Sequence, residues 1–326
     1  MKLLVTGGAG FIGSCFVRHI INKYPDYKVI NLDALTYCGN LENLRDIENH
    51  PNYSFVHGNI CDRKLARELV SEVDCIVNFA AESHVDNSIK HPEIFIETNV
   101  QGTLNLLQAA KEIGVERYLQ VSTDEVYGTL DKTGYFYETT PLAPNSPYSA
   151  SKASADMLVR AYYETYKLPV LTTRCSNNYG PYQYPEKLIP FFISKLLRGE
   201  KVPVYGDGLN VRDWLYVYDH CAAIDTVLHR GKVGEIYNVG GHNEKTNLEI
   251  TKLILEAMGK DESSIQYVED RLGHDRRYAI SNDKISSELG WKPSVTFEQG
   301  IKLTIDWYLN NQDWIKNIEA KKAAGV

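Results

Sequence analysis

A doubly wound parallel α/β sheet is the fold this sequence predicts, and three observations predict it. Lys2-Leu3-Leu4-Val5-Thr6 reads as a buried strand and runs straight into the glycine-rich turn Gly7-Gly8-Ala9-Gly10-Phe11-Ile12-Gly13. A second apolar run, Lys28 to Leu32, ends in Asp33, twenty residues after Gly13. Strand-length apolar runs then alternate with helix-patterned stretches as far as Arg174, the rhythm of a parallel sheet with helical crossovers.

Two glycine registers fit the first turn: Gly8, Gly10 and Gly13, or Gly7, Gly10 and Gly13. Either lets the backbone turn tightly and lets a pyrophosphate approach the first N–H groups of a helix expected from about Ser14 to Tyr24. Asp33 is spaced to accept from an adenosine ribose 2′-hydroxyl and would repel a 2′-phosphate, which favours NAD over NADP. Tyr53–Ile60 is the third expected strand, and Asp62 caps a helix through Leu69. Cys75–Ala81 is the fourth strand. Pro92 opens a long helix through Ile113 with Ile96, Val100, Leu104, Leu107 and Ala110 on one stripe. Tyr118–Ser122 is the fifth strand, the helix containing Tyr148 reaches about Lys167, and Val170–Arg174 is the sixth strand.

After Asn177 the pattern changes. Asn177–Pro181 reads as loop, Pro185 as the start of a helix through Leu197, and Lys201–Tyr218 as short strands with turns. Asp219 is expected to cap a helix, and Glu235–Gly241 to return the chain to the first sheet as one more buried strand. Thr246 and Glu249 form a capping box for a helix to Met258, and Asn282–Leu289 and Thr296–Tyr308 give the last helices. The expected division is discontinuous. Residues 1–178 and 214–243 form a Rossmann nucleotide-binding domain, and 179–213 and 244–326 a second, smaller α/β substrate domain packed directly on it.

Composition narrows the partners. A chain of 326 residues that is 43% apolar can bury a large core, while a net charge of -7 argues against nucleic acid or an anionic membrane. An anionic ligand must then be held by a few local Arg, Lys and backbone N–H groups. The six cysteines are scattered, with no CxxC pair and no Cys/His ligand spacing, so free thiols in a reducing compartment and no metal site are expected. No charged stretch leads into an apolar segment at the start, and no run of ~18 apolar residues occurs, so the expectation is a cytoplasmic protein.

The chemistry concentrates between Thr123 and Lys152. Thr123-Asp124-Glu125 follows a strand, at the end that faces the ligand crevice of an open α/β sheet. Tyr148 and Lys152 lie four apart, on one face of a helix. A phenol titrates near ~10, and an adjacent ammonium favours its phenolate, so such a tyrosine can take a proton from an alcohol near neutral pH. The two carboxylates indicate a second proton transfer. Since consecutive strand residues point to opposite faces, the backbone is expected to leave strand geometry at Asp124.

From Met1 to about Asn317 the chain resembles the extended short-chain dehydrogenase/reductase family, and within it the nucleotide-sugar 4,6-dehydratases. The resemblance rests on Gly7–Gly13, Ala80–Asp86, Ser122–Gly128, Tyr148–Lys152, Asn177–Pro181, Arg212-Asp213-Trp214 and Gly273–Tyr278. Leu272 stands where that family usually has proline. The resemblance implies a homodimer formed through the Pro92 and Tyr148 helices and dTDP-glucose as substrate, the nucleotide base being fixed by no residue read directly. It implies oxidation at C4 with NAD as acceptor, loss of water across C5 and C6, and return of hydride to C6. Tyr148 would take the 4-hydroxyl proton, assisted by Lys152 and Thr123; Glu125 would be the base at C5 and Asp124 the acid at the 6-hydroxyl. Sugar-nucleotide 4-epimerases need no C5 base, so the Asp124-Glu125 pair favours elimination over that rival.

The same resemblance places Gly7, Gly10, Phe11, Ile12, Gly13, Asp33, Leu35 and Thr36 against NAD. Asn59, Ile60, Ala80, Ala81, Thr98, Tyr148, Lys152 and Asn178 complete that set. Ser83, Thr123, Asn177, Lys187, Leu188, Tyr205, Arg212, Asn247, Arg271 and His274 would meet the sugar nucleotide, with Lys187, Arg212 and Arg271 on its diphosphate.

Overall fold

The computed structural model describes residues 1–270 and 274–323. Strand β1 (Lys2–Thr6) enters the glycine turn, and helix α1 (Phe11–Lys23) leaves it three residues before the expected start. Close packing explains the early start. A Cβ on Gly13 would lie 2.2 Å from the Gly7 carbonyl oxygen, so only glycine lets the first helical turn sit on the preceding loop. The chain continues through β2 (Lys28–Asp33), β3 (Tyr53–His57), α2 (Arg63–Val70) and β4 (Cys75–Asn78). Asp62 caps α2 by accepting from the Lys64 and Leu65 amides.

After a short helix, α3 (Val85–Lys90), the region expected to be one regular helix is divided into α4 (Pro92–Phe95), a π-helical segment at Ile96–Gly102 and α5 (Thr103–Ile113). The π segment shifts the phase of the expected stripe. Ile96 is 51% exposed, while Phe95, Leu106, Leu107 and Ala110 are buried. Then come β5 (Arg117–Thr123), a 3₁₀ turn at Asp124–Tyr127, α6 (Pro147–Tyr166) and β6 (Val170–Cys175).

Beyond β6 several expectations need correction. Asn177–Tyr179 is a short strand, β7, because it pairs in parallel with Trp214–Tyr216. Helix α7 (Leu188–Leu197) starts three residues after Pro185; Glu186 and Lys187 are held in a tight turn by their amides on the Tyr184 carbonyl. After β8 (Val202–Tyr205) and β9 (Val211–Tyr216), helix α8 (Val217–Arg230) already includes Asp219. That carboxylate is not its cap; it accepts from Ser294 Oγ and the Val295 amide at 2.5 and 3.0 Å. Strand β10 (Ile236–Val239) is followed by β11 (Glu244–Thr246), α9 (Asn247–Ala257), β12 (Ile265–Val268), α10 (Asp283–Leu289) and α11 (Phe297–Asn310). Both capping boxes form, Thr246 with Glu249 and Thr296 with Gln299. A further helix, α12 (Gln312–Ala323), follows the one expected to be the last.

The seven-stranded sheet runs β10-β6-β5-β4-β1-β2-β3, with every neighbouring pair parallel. Its ligand-facing carboxyl ends therefore share one edge, and β10 joins it beside β6. Successive residues of β1 serve opposite faces. Leu3 and Val5 pack with Phe16, Ile20 and Ile224, whereas Leu4 packs with Ile76, Leu106 and Tyr118. A third core, from Tyr179, Phe192, Trp214, Ile254, Phe297 and Tyr308, supports the sheets β11-β9-β7 and β12-β8. No helix among the described residues is long and apolar enough to cross a membrane.

Candidate active site

The carboxyl ends of β1, β2, β4, β5 and β6 line a cleft of about 320 Å³. At its floor Gly7 has φ +69°, and a Cβ there would lie 2.7 Å from the Ala80 amide nitrogen. Helix α1 has no side-chain cap and no acidic residue in its first turn, so no carboxylate competes with an anionic ligand for its N-terminus. Asp33 accepts from the Ala9 and Leu35 amides at 2.9 and 2.8 Å. Burial pushes its carboxyl up, and those two amides pull it back part of the way. A glycine cradle, an open helix N-terminus and an oriented carboxylate together fit a dinucleotide. All of the residues expected around NAD line this cleft except Leu35, which stands at φ +49° with its amide on Asp33.

Above the cleft, the backbone leaves β5 at Asp124. Thr123 caps the 3₁₀ turn, its Oγ1 accepting from the Glu125 amide at 3.3 Å. Both Asp124 and Glu125 then line the cleft instead of alternating across the sheet. Asp124 is 1% exposed, and its Oδ2 has no hydrogen-bond partner among the described residues. Burial, reinforced by Glu125 and Asp213 and opposed by Arg212, holds its carboxyl well above the ordinary range.

Tyr148 and Lys152 stand in the first turns of α6, which opens with Pro147 at N1 and a reciprocal Ser146/Ser149 cap. Both are buried, and the Tyr148 ring meets Phe95 edge-on at 6.3 Å. Burial dominates the electrostatics of both groups. The Tyr148 phenol is pushed well up, by burial first and then by Glu125, while a hydrogen bond with Thr123 pulls down. Burial likewise lowers Lys152, against Asp156, and its Nζ donates to the Val121 carbonyl at 2.8 Å. The ammonium is thereby tied to β5, one turn along α6 from the phenol.

A second cavity, of about 230 Å³, shares Glu125, Asn177, Asn178, Gln183 and Lys187 with the first. Leu188, Tyr205, Arg212, Asn247 and His274 line it as well, whereas Ser83 and Thr123 border the first cleft. Arg271 and Leu272 lie outside the described residues. Arg212 is buried and stacks over the Tyr278 ring at 4.3 Å, donating to the Val211 and Asp275 carbonyls at 2.7 and 2.9 Å. Lys187 Nζ donates to the Ser83 carbonyl at 3.1 Å, and His274 Nδ1 lies 2.6 Å from Asp270 Oδ1.

A sequence profile described as GDP-mannose 4,6 dehydratase matches residues 4–304. A curated relative from Xanthomonas campestris pv. campestris (strain B100), named dTDP-glucose 4,6-dehydratase, is 57% identical over 97% of this chain and 95% of its own. The solved dTDP-glucose 4,6-dehydratase of Bacillus anthracis in complex with NAD is 57% identical, with a TM-score of 0.92 over 98% of this chain and 99% of that one. The Streptomyces venezuelae enzyme of the same name, solved with NAD bound, is 54% identical with a TM-score of 0.94, covering 96% and 98%. The chain belongs to the dTDP-glucose 4,6-dehydratase family.

The fold also brings to the two cavities residues that sequence reasoning left without a role. Tyr278 lines the second cavity, and its hydroxyl donates to Asp275 Oδ2 at 2.5 Å. The only sequence signal for it was its place at the end of the Gly273–Tyr278 run. Cys38, Glu82, Gln183 and Tyr184 border the first cleft, and Glu186 borders the second cavity. Nothing in local spacing joins Cys38 to Glu186, and only the fold does.

Proposed function

We propose that this chain converts dTDP-glucose to dTDP-4-keto-6-deoxyglucose and water with NAD held in the first cleft. The observation that carries this reading is the turn at Asp124, which gathers two carboxyl groups, Tyr148 and Lys152 around one cleft. The names of the relatives support dTDP-glucose as substrate. The division into a nucleotide domain (1–178 and 214–243) and a substrate domain (179–213 and 244–326) is supported by the pairing of β10 with β6.

NAD supplies the hydride acceptor at C4 and the donor at C6. Its pyrophosphate would lie at Gly7–Gly13, its adenosine ribose at Asp33 and its nicotinamide ribose at Tyr148 and Lys152. Tyr148 takes the 4-hydroxyl proton as the C4–H bond breaks, with Thr123 hydrogen-bonded to the same oxygen. The resulting ketone acidifies C5, and Glu125 removes that proton. Asp124, held protonated by its buried, anion-flanked setting, gives its proton to the 6-hydroxyl as the C6–O bond breaks. Glu125 returns its proton to C5 when C6 is reduced. The proton gained by Tyr148 offsets the one lost by Asp124, so the cycle closes with one water released.

Lys187 and Arg212, with Arg271, would hold the diphosphate. Exposed Ile94, Ile96 and Met157, at 40%, 51% and 60%, lie on the Pro92 and Tyr148 helices and support a homodimer through that face. A cytoplasmic location accords with six free cysteines. The test is incubation with dTDP-glucose and, separately, UDP-glucose, followed by assay for an alkali-revealed keto sugar. Product from dTDP-glucose is expected; product from neither sugar would overturn the reading.

A further inference from the structure

Two segments about 150 residues apart in sequence meet at the mouth of the dinucleotide cleft. The first is the loop after β2. Thr36, Cys38 and Gly39 line the cleft, the Gly39 amide donates to the Thr36 carbonyl at 2.8 Å, and a Cβ on Gly39 would come within 2.8 Å of Asp33 Oδ1. This loop is thus packed against the carboxylate that would hold the adenosine ribose. The second segment is the turn before α7, whose Gln183, Tyr184 and Lys187 line the same cleft. Tyr37 joins the two. Its hydroxyl donates to Glu186 Oε1 at 3.1 Å, its ring stands edge-on to Tyr184 at 5.5 Å, and the Cys38 thiol lies 3.9 Å from the same carboxylate oxygen.

Each anchor belongs to a different functional unit. Tyr37 follows the strand that ends in Asp33, whereas Glu186 precedes Lys187 and borders the substrate cavity. The turn is pinned a second time by Lys187 Nζ on the Ser83 carbonyl. Burial pushes the Tyr37 phenol far up, so it remains a donor to the carboxylate at any working pH. None of this is required by proton transfer at the sugar. The reaction does require a cofactor that stays in place between oxidation at C4 and reduction at C6.

We propose that Tyr37 and Glu186 are positioning residues that strap the substrate-domain turn over the dinucleotide cleft and keep the cofactor from exchanging between turnovers. This rests on the reading of the cleft as an NAD site. Opening the strap removes a hydrogen bond to a charged acceptor, an interaction of the order that changes a dissociation rate about tenfold or more.

The experiment loads the full-length protein with radiolabelled NAD, adds excess unlabelled NAD without sugar, and follows release. Tyr37→Phe and Glu186→Met, which removes the acceptor, are each expected to release label about tenfold faster than the parent. The double variant should release no faster than the faster single variant, because both remove one bond. Denaturant midpoints of the cofactor-stripped variants should match the parent, which separates a strap from a general loss of stability. Release rates equal to the parent in both single variants would overturn the proposal. So would fully multiplicative effects, which would mean that the two residues act apart. If Tyr37→Phe does not fold, Glu186→Met decides by the same comparison. A parent that takes up no label at all refutes the NAD reading itself, a different outcome from equal release.

Discussion

Two buried aspartates in this molecule sit in opposite electrostatic settings. Asp225, on α8, is 1% exposed and surrounded by donors: His19 Nε2 at 2.9 Å, Lys23 Nζ at 2.6 Å, Tyr24 OH at 3.0 Å and His229 Nδ1 at 2.8 Å. Burial would raise its carboxyl, but hydrogen bonds from His19, His229 and Lys23 carry it far below the usual range. Asp124 is equally buried, yet its charged neighbours include Glu125 and Asp213, and its carboxyl is driven up. Asp225 joins α1 to α8 and lines neither described cavity; Asp124 lines the cleft. The contrast separates a carboxyl group that fastens helices from one proposed to donate a proton. Burial alone distinguishes neither; the sign of the neighbours does.

The largest effects should come from the anionic side of this comparison. Glu125→Gln keeps size and hydrogen bonding but removes the proposed C5 base, and should slow turnover by roughly 10²–10⁴-fold. In a single turnover with dTDP-glucose, absorbance in the reduced-nicotinamide band should rise and persist in this variant, and should not rise in Tyr148→Phe. The reverse pattern would exchange the two roles. Asp124→Asn should slow turnover over a similar range, with denaturant stability unchanged or higher, because it replaces a carboxyl group in an anionic setting with a neutral amide. A marked loss of stability in Asp124→Asn would show that its carboxyl fastens structure as Asp225 does.

These two settings were not equally legible in the sequence. Asp124 stood out because Thr123-Asp124-Glu125 follows an apolar run and precedes the Tyr148/Lys152 pair, all within one short stretch. The glycine turn and Asp33 were readable for the same reason, since a βα unit writes its cofactor site within some thirty residues. Asp225 gave no signal, because two of its partners, His19 and Lys23, come from a helix 200 residues earlier. The same limit explains β7, read as loop until its pairing with β9 is seen, and Asp219, read as a cap although it binds the Ser294–Val295 turn. It also explains what was hidden at Tyr148: spacing shows that a lysine is near, but the burial and the Glu125 carboxylate that push the phenol up exist only in the folded chain.

An intermediate effect is expected from the cationic side. Asp225→Asn removes the shared acceptor of Lys23, His19 and His229 and should cost about 2–3 kcal/mol in denaturant unfolding, the range for hydrogen bonds to charged groups. Turnover per folded molecule should stay at the parent value, since α8 touches the cleft at no proposed catalytic residue. Unchanged stability would mean that the exposed Lys23 and half-buried histidines regain equivalent partners in water. A comparable loss of turnover would tie this seam to the site and erase the distinction drawn above.

The smallest effect is the pH dependence of that stability, and its sign follows from the directions of the shifts. An unfolded aspartate titrates near ~3.9, whereas folded Asp225 keeps its charge to much lower pH. Its contribution is therefore complete above ~3.9 and is lost as pH falls toward the depressed folded value, where the unfolded chain binds the extra proton. His229 runs the other way. Its hydrogen bond to Asp225 raises it above the ordinary imidazole value, so its contribution is present below ~6.5 and fades as pH rises through the raised folded value. The parent should then lose part of its unfolding free energy between about pH 4 and 3, and a smaller part above about pH 6.5, while Asp225→Asn should be flatter in both windows. Asp124 has the opposite acid-side sign, because its raised carboxyl disfavours the folded state as pH rises above ~3.9. Asp124→Asn should therefore gain on the parent as pH rises above ~3.9, whereas Asp225→Asn falls behind as pH rises from about 3 to 4. Parallel curves for the two variants would refute the assignment of opposite settings.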